Sequence, residues 1–254
     1  MTQTAPRDQA APAPAAETHY ATVFADEYDR WFGKPRVSGT TVDTLASLAG
    51  TGPVLELGVG TGRIALPLRA RGIEVHGIDG SAAMVDRLRA KPGGDAVPVT
   101  LGDFSEVPVT GVFSLVYLAA GTFFELREQR AQERCFARVA DRLGAGGAFV
   151  FDSHLPEALA RATGAPEVVS EGDDHLVLCH RSIDPSVQRY RSHYVIHAER
   201  VTRHLRVEFR YAGPGELDLM ARQAGLRLAE RWGGWGREAF TRDSAYHVSV
   251  YRRP

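Results

Sequence analysis

Lysine is almost missing from this 254-residue chain: Lys34 and Lys91 are the only two among thirty basic side chains. Alongside abundant alanine and glycine, that reads as coding bias rather than chemistry. Neither sign of charge is in excess, because 31 acidic residues leave a net charge of -1. With no long run of like charge either, nucleic acid and a membrane surface are excluded as the main partner. Cysteine is scarce as well. Cys135 falls in a helical pattern and Cys179 in a strand-like one, neither in a metal-ligand spacing. Both are expected as buried free thiols in a reducing cytoplasm, with no metal site. His193 and His197 would share a strand face, but no third ligand stands beside them. No stretch approaches the ~18 consecutive apolar residues of a membrane-spanning helix. The N-terminal "MTQTAPRDQAAPAPAAE" has alanine and proline where a signal peptide has large apolar residues, so residues 1–17 are expected as a disordered tail.

What is present is ample core material: 44% of the chain is hydrophobic, enough for one domain over residues 18–254. In "THYATVFADEYDRWF" the aromatics Tyr20, Phe24, Tyr28 and Trp31 recur at helical spacing behind a Thr18 N-cap. "TTVDTLASLAG" reads as a second helix ending at Gly50. Strands and helices then alternate: "PVLEL" strand, 62–71 helix, "IEVHGID" strand, "SAAMVDRLRAK" helix, "AVPVTLGD" and "FSLVYLA" strands, a helix burying Phe136, Val139, Ala140 and Leu143, and "GAFVFDS" as fifth strand. Strands that are apolar throughout belong to a parallel sheet covered on both faces, hence an α/β fold. From about 167 the rhythm changes to an antiparallel meander of "HLVLCHRSI", "VQRYRSHYVIHAE" and "RHLRVEFRY". The last puts Leu205, Val207, Phe209 and Tyr211 on one face and His204, Arg206, Glu208 and Arg210 on the other. Pro214 opens a helix that stops at Gly225, and "LRLAERW" and "YHVSVYRR" close the chain as two strands.

The stretch "VLELGVGTGRIALPL" joins a strand to a helix through Gly58, Gly60 and Gly62. Such a unit either makes a plain tight turn or brings backbone and helix N–H groups up to a nucleotide. Asp79 ends the next strand, 23 residues after Glu56, where a carboxylate can take both hydroxyls of a ribose. A dinucleotide fits poorly, because G-x-G-x-x-G requires glycine where Arg63 stands. No Tyr-x-x-x-Lys pair and no G-x-x-x-x-G-K-[ST] loop exist either. The ligand is expected to be a nucleoside without a pyrophosphate.

With these residues in view, "ELGVGTGR" resembles motif I of the class I S-adenosylmethionine-dependent methyltransferases. "GIDGS" with Met84 resembles their ribose and adenine motif, and "LGDF", with Asp103 and Phe104, the segment that meets the adenine. "FSLVYLAAGTFFEL" sits where their fourth strand, here ending near Leu118, carries methyl-donor and substrate contacts. The resemblance covers residues 18–154 and, in outline, 214–252. It implies a Rossmann-like seven-stranded class I methyltransferase sheet with an antiparallel β insertion after the fifth strand, binding S-adenosyl-L-methionine. By the same resemblance, the cofactor meets Tyr28, Glu56, Gly58, Gly60, Arg63, Asp79, Gly80, Met84, Asp103, Phe104 and Leu118. Glu56 would attract the ammonium, Arg63 or helix N–H groups the carboxylate, and Asp79 the ribose. Pro67 removes the helical bond to the Arg63 carbonyl.

The acceptor is expected to be a small molecule, with methyl transfer to an amine nitrogen that needs only in-line positioning. Transfer to oxygen or carbon calls for a base. The fourth-strand loop offers only Glu125, so the candidate catalytic residues are Asp152 and His154 after the fifth strand. A surface role for His154 is the alternative. Residues 18–50 would form a helical lid, with Tyr20, Tyr28 and Trp31 packing the core or lining the acceptor pocket, and Trp232 and Trp235 read as core. Within the insertion over 167–212, the meander at 175–212 carries seven arginines, three acids and five histidines. It reads as a solvated face, a homodimer contact or an anion-accepting cover. It resembles the β insertion of nucleotide-diphosphate-aminosugar N,N-dimethyltransferases, but the catalytic histidine of their fourth-strand loop is missing. Two further classes stay open: the same fold performing non-methylating chemistry such as ring closure, and a non-catalytic binding module.

Overall fold

The computed structural model describes Ala25 and residues 27–31, 39–198 and 201–254. The expected tail over 1–17, Thr18, Tyr20, Phe24, Lys34, Glu199 and Arg200 lie outside the described residues. In chain order the strands are β1 (Val54–Leu57), β2 (Val75–Asp79), β3 (Val99–Leu101), β4 (Phe113–Leu118), β5 (Leu143–His154), β6 (Glu167–Gly172), β7 (His175–Asp184), β8 (Arg189–Ala198), β9 (Val201–Arg210), β10 (Arg227–Trp232) and β11 (Tyr246–Arg252). The helices are α1 (Gly39–Leu48), α2 (Ala65–Arg69), α3 (Ala82–Arg89), α4 (Gln129–Arg142), α5 (Pro156–Arg161) and α6 (Pro214–Gln223).

Seven strands form one sheet in the order β10-β11-β5-β4-β1-β2-β3. The pairings β1–β2, β1–β4, β2–β3 and β4–β5 are parallel, while β11 runs antiparallel to both β5 and β10. The largely apolar strands are explained by cover on both faces. Val54, Leu115, Tyr117, Val150 and Val250 pack with α1 and α2 and with Leu88 of α3. Leu55, Leu57, Val116, Phe149 and Phe151 pack with α4 and α6. On that second face, the rings of Phe123, Phe136, Phe149, Phe151 and Tyr251 lie edge-on, tilted or stacked, with Phe123 and Phe151 centroids 4.7 Å apart.

The strand order reverses at β1, with β2 and β3 on one side and β4 and β5 on the other, so the carboxyl ends of β1, β2 and β4 open on one edge of the sheet. This is where open α/β sheets hold ligands. Helix α2 is shorter than the 62–71 expected, because Gly62 keeps a left-handed φ of 78° and Pro67 sits in the first turn. In α3, Ser81 caps the first turn by accepting from the Met84 N–H at 3.4 Å. Helix α5 and strand β6 had no sequence counterpart: α5 is only six residues, and β6 is largely exposed, without an apolar periodicity.

The insertion is a four-stranded antiparallel sheet, β6-β7-β8-β9. Its inner face carries Val177, Cys179, Tyr194, Ile196, Leu205 and Val207, and Trp31 is buried among them. Arg210 lies on the face expected, opposite to that of Leu205, and that face is not solvated there. Arg210 is 5% exposed, donates to Gln132 Oε1 at 2.5 Å and Gln188 Oε1 at 2.9 Å, and pairs with Glu216 at 2.7 Å. Alternation along β9 is intact, but its last residues run beneath α4 and α6, so the face that is solvated at His204 is covered at Arg210.

Candidate active site

The loop after β1 turns left-handed at three alternate residues, with φ of 73° at Gly58, 53° at Gly60 and 78° at Gly62. A side chain at any of the three would be strained. The loop lies tight on β2: Gly58 and Val59 donate to the Ile78 carbonyl at 2.8 and 3.0 Å, and the Val59 side chain fills the space where Gly77 lacks one. Crowding differs along the loop. A Cβ at Gly58 or Gly62 would strike Thr122 or Leu88, whereas one at Gly60 would meet nothing within 4 Å. Gly60 therefore fronts open space.

Asp79, at the end of β2, closes this turn. Its Oδ2 accepts from the Gly60 N–H at 2.7 Å and its Oδ1 from the Ser81 N–H at 2.8 Å. Burial raises its carboxyl above the usual range, against the pull of these donors and of the Gly80 N–H. Glu56 lies deeper, 5% exposed, with Oε2 accepting from the Tyr117 hydroxyl at 2.8 Å. Burial pushes its carboxyl up from 4.5 to about 8, opposed by the Tyr117 bond and by the Arg63 charge. A buried carboxyl held neutral is a group that gains from the arrival of a cation.

Around these, Arg63 reaches Tyr28, its guanidinium 5.2 Å from the ring centroid and its Nη2 3.4 Å from the hydroxyl. Tyr28 and Ala83 pack on a small cluster of Ala25 and Met84. Asp103 accepts from the Ser105 N–H at 2.8 Å just after β3, and Phe104, half-buried, leans on the main core. Tyr28, Glu56, Gly58, Gly60, Arg63, Asp79, Gly80 and Met84 are thus brought to one edge, with Asp103 and Phe104 beside β3. Leu118 is not among them. Its side chain is 0% exposed inside the core, so only its backbone can face a ligand.

The N-terminal segment ties this edge down. Asp29 accepts from the Thr61 hydroxyl at 2.6 Å and pairs with Lys91, which also donates to the Thr61 carbonyl at 2.7 Å. Glu27 pairs with Arg203 and Arg30 with Asp174, so the same segment is fastened to the insertion.

Between the loop after β4 and the insertion lies a cleft of about 650 Å³, open mouth included. Ala120, Gly121, Thr122, Glu125 and His154 line its floor, and the inner face of β7–β9 roofs it. The floor bends through two consecutive left-handed residues, Ala120 at φ 61° and Gly121 at φ 74°. Asp152 holds that bend from below: Oδ1 accepts from the Gly121 N–H at 2.9 Å and Oδ2 from the Trp235 indole at 3.1 Å. Burial raises its carboxyl, and both oxygens are spent on fixed donors. His154 lies on the exposed lip of the cleft, 6.4 Å from the Tyr246 ring.

Sequence reading missed Tyr190, Ser192 and Tyr194 in the roof. Their signal was available as i, i+2, i+4 spacing along β8, but nothing local says that this face covers a site.

A protein-family model described as a methyltransferase domain matches residues 54–147. The fold is shared with an S-adenosylmethionine-dependent methyltransferase from Clostridium acetobutylicum, at 14% identity with a TM-score of 0.78 over 91% of this chain and 97% of that one. The cypemycin N-terminal methyltransferase of a Streptomyces species is 29% identical over 202 residues, 79% of this chain and 82% of that protein. The CcbJ methyltransferase from Streptomyces caelestis is 39% identical, with a TM-score of 0.86 over 94% of this chain and 99% of that one. The chain belongs to the S-adenosylmethionine-dependent methyltransferases. The methyltransferase uses S-adenosyl-L-methionine as its cofactor, and the edge of its sheet fits that molecule on two counts: the free space in front of Gly60 and the buried, neutral Glu56 facing Arg63. Among its described residues no helix is long and apolar enough to cross a membrane, and no cluster of His, Cys, Asp or Glu could hold a metal.

Proposed function

We propose that this methyltransferase transfers its methyl group to an amine nitrogen of a small metabolite of natural-product type. The observation that carries the reading is the floor of the cleft. Its one buried carboxylate, Asp152, is spent on Gly121 and Trp235, which leaves Glu125 and the exposed His154 as its titratable side chains. Such a floor positions an acceptor and does not deprotonate it in advance. A neutral amine needs no more, since its proton can leave to water after attack. The cypemycin relative, whose name specifies an N-terminal methyltransferase, supports nitrogen.

Bound S-adenosyl-L-methionine supplies an electrophilic methyl on sulfonium. In this reading Asp79 takes the ribose hydroxyls with its remaining lone pairs, and Glu56 takes the ammonium. Arg63, carried by Tyr28, or the loop N–H groups would hold the carboxylate. Met84, Asp103 and Phe104 would flank the adenine, with Gly58, Gly60 and Gly80 giving close backbone approach and Leu118 only its backbone. We read residues 25–31 as part of the lid and residues 167–212 as the substrate cover.

Incubation with trideuteromethyl-labelled cofactor and a panel of small amines, alcohols and phenols tests this. The label is expected on nitrogen, located by the N–CH₃ shift in NMR. Label on oxygen or carbon would favour the second reading, in which His154, lining the cleft, acts as base.

A further inference from the structure

The roof of the cleft breaks its own pattern. Along the inner face of β7 the residues are Val177, Cys179, Arg181 and Ile183, one cation in an apolar series. On β8 they are Tyr190, Ser192, Tyr194 and Ile196, one small hydroxyl in a bulky series. The register places Arg181 directly opposite Ser192, so the two exceptions are neighbours. The third residue of the row, Val207 opposite Ser192, is apolar again. Both Arg181 and Ser192 line the cleft, flanked by Tyr190 and Tyr194.

An arginine on an apolar sheet face loses hydration, and a fold retains it there only when it is paired. Arg181 has a partner at one end: its Nη1 pairs with Glu167 on the edge strand β6. The arginine side chain is 14% exposed and the glutamate 57%, so the pair spans from cleft to solvent. A guanidinium presents five N–H donors in a rigid fork, of which this partner engages one nitrogen. Among the described residues lining the cleft, Arg181 in the roof is the one permanent cation, and Glu125 in the floor is the one carboxylic acid.

We propose that Arg181 and Ser192 form an anion subsite in the roof, and hence that the acceptor is an amine that also bears a carboxylate or phosphate group. This inference rests on the amine reading above. The anion docks on the guanidinium fork and the Ser192 hydroxyl, while the neutral amine points to the floor, where the Glu125 carboxylate can accept one of its N–H groups and leave the lone pair for the methyl donor. Tyr190, stacked on Phe209 with centroids 4.6 Å apart, gives the body of the molecule a flat wall. A dipole laid across the cleft in this sense fixes which end of the acceptor meets the methyl donor.

The test uses the full chain, labelled cofactor and matched sets of amines. Each set has one amine of fixed length as its carboxylate, its phosphate monoester, its methyl ester and its alcohol. The wild type is expected to methylate an anionic member at least tenfold faster, in kcat/KM, than the two neutral ones. The carboxylate and phosphate arms tell which anion it takes. In Arg181→Met the anionic-to-neutral ratio should collapse toward one through KM, and Arg181→Lys should retain part of it. Affinity for S-adenosylhomocysteine should be kept in both. Neutral members methylated as fast as anionic ones by the wild type would overturn the subsite, as would an unchanged ratio in a folded Arg181→Met. Methylation of hydroxyl groups with every amine untouched would instead overturn the amine reading, a result distinct from either.

Discussion

The Tyr117 hydroxyl donates to Glu56 at 2.8 Å inside the sheet, and this pair sets the charge of the floor beneath the cofactor edge. The folded Glu56 carboxyl titrates near 8, against 4.5 in an open chain. Between those values the folded protein holds a proton that the unfolded chain has lost. The associated stability is full below 4.5 and is lost as pH rises through 8. Glu56→Gln, which has no such proton to lose, should therefore melt higher than wild type without ligand, by a gap that widens from pH 5 to pH 8.5. Cofactor binding at pH 6.5 should release close to one proton from wild type and fewer from the variant. Calorimetry in two buffers of different ionisation enthalpy counts them, and equal counts would remove Glu56 from the ammonium site.

Asp79→Ala should weaken S-adenosylhomocysteine by about 2–4 kcal/mol, since it deletes charge-assisted bonds to the ribose and releases the Gly60 N–H. Gly60→Val should abolish binding: φ at this position is 53°, and the added side chain would project into the space the ligand needs. Titration calorimetry reads both. A Gly60→Val protein that binds within a few fold of wild type would make the loop a plain turn.

Asp152→Asn keeps one oxygen to accept but sets its amide NH₂ against the other of two fixed donors, Gly121 N–H or the Trp235 indole. The left-handed bend at Ala120 and Gly121 should then shift, raising KM for the acceptor while S-adenosylhomocysteine affinity holds. Equal losses in both affinities would indicate general unfolding of the edge instead.

His154→Ala should lower kcat by less than about tenfold, well short of the ~10²–10⁴ that follows loss of a general base. Profiles of kcat from about pH 6 to 9 span the histidine range. A thousandfold drop in a folded variant, with a wild-type rate that rises through the histidine titration, would transfer the chemistry to oxygen or carbon.

Arg210→Met should cost about 1–3 kcal/mol, because Gln132 and Gln188 lose a charged donor and Glu216, partly exposed, keeps only its bond from Gln188. Urea unfolding measures it. A loss under ~0.5 kcal/mol is what a solvated arginine would give.

Local chemistry sufficed for the parallel sheet and the cofactor edge. Apolar strands of β1, β4 and β5 need no knowledge of their neighbours to announce cover on both faces, and the glycine turn with Asp79 is legible because φ, strand length and spacing are properties of a short segment. The meander's alternation was equally plain, and so were Glu125 and His154 near the carboxyl edge. What the residues touch was decided elsewhere. Leu118 stands at the right position along β4 yet turns into the core. Asp152 looked like a base and is clamped by a tryptophan 83 residues away. Arg210 keeps its place in a period of two, but α4 and α6 cross over that end of the strand. Arg181 was one of seven arginines until the register set it beside Ser192 above the cleft. Periodicity assigns a side chain to a face, and only the packing of distant elements determines whether that face meets water, core or a ligand.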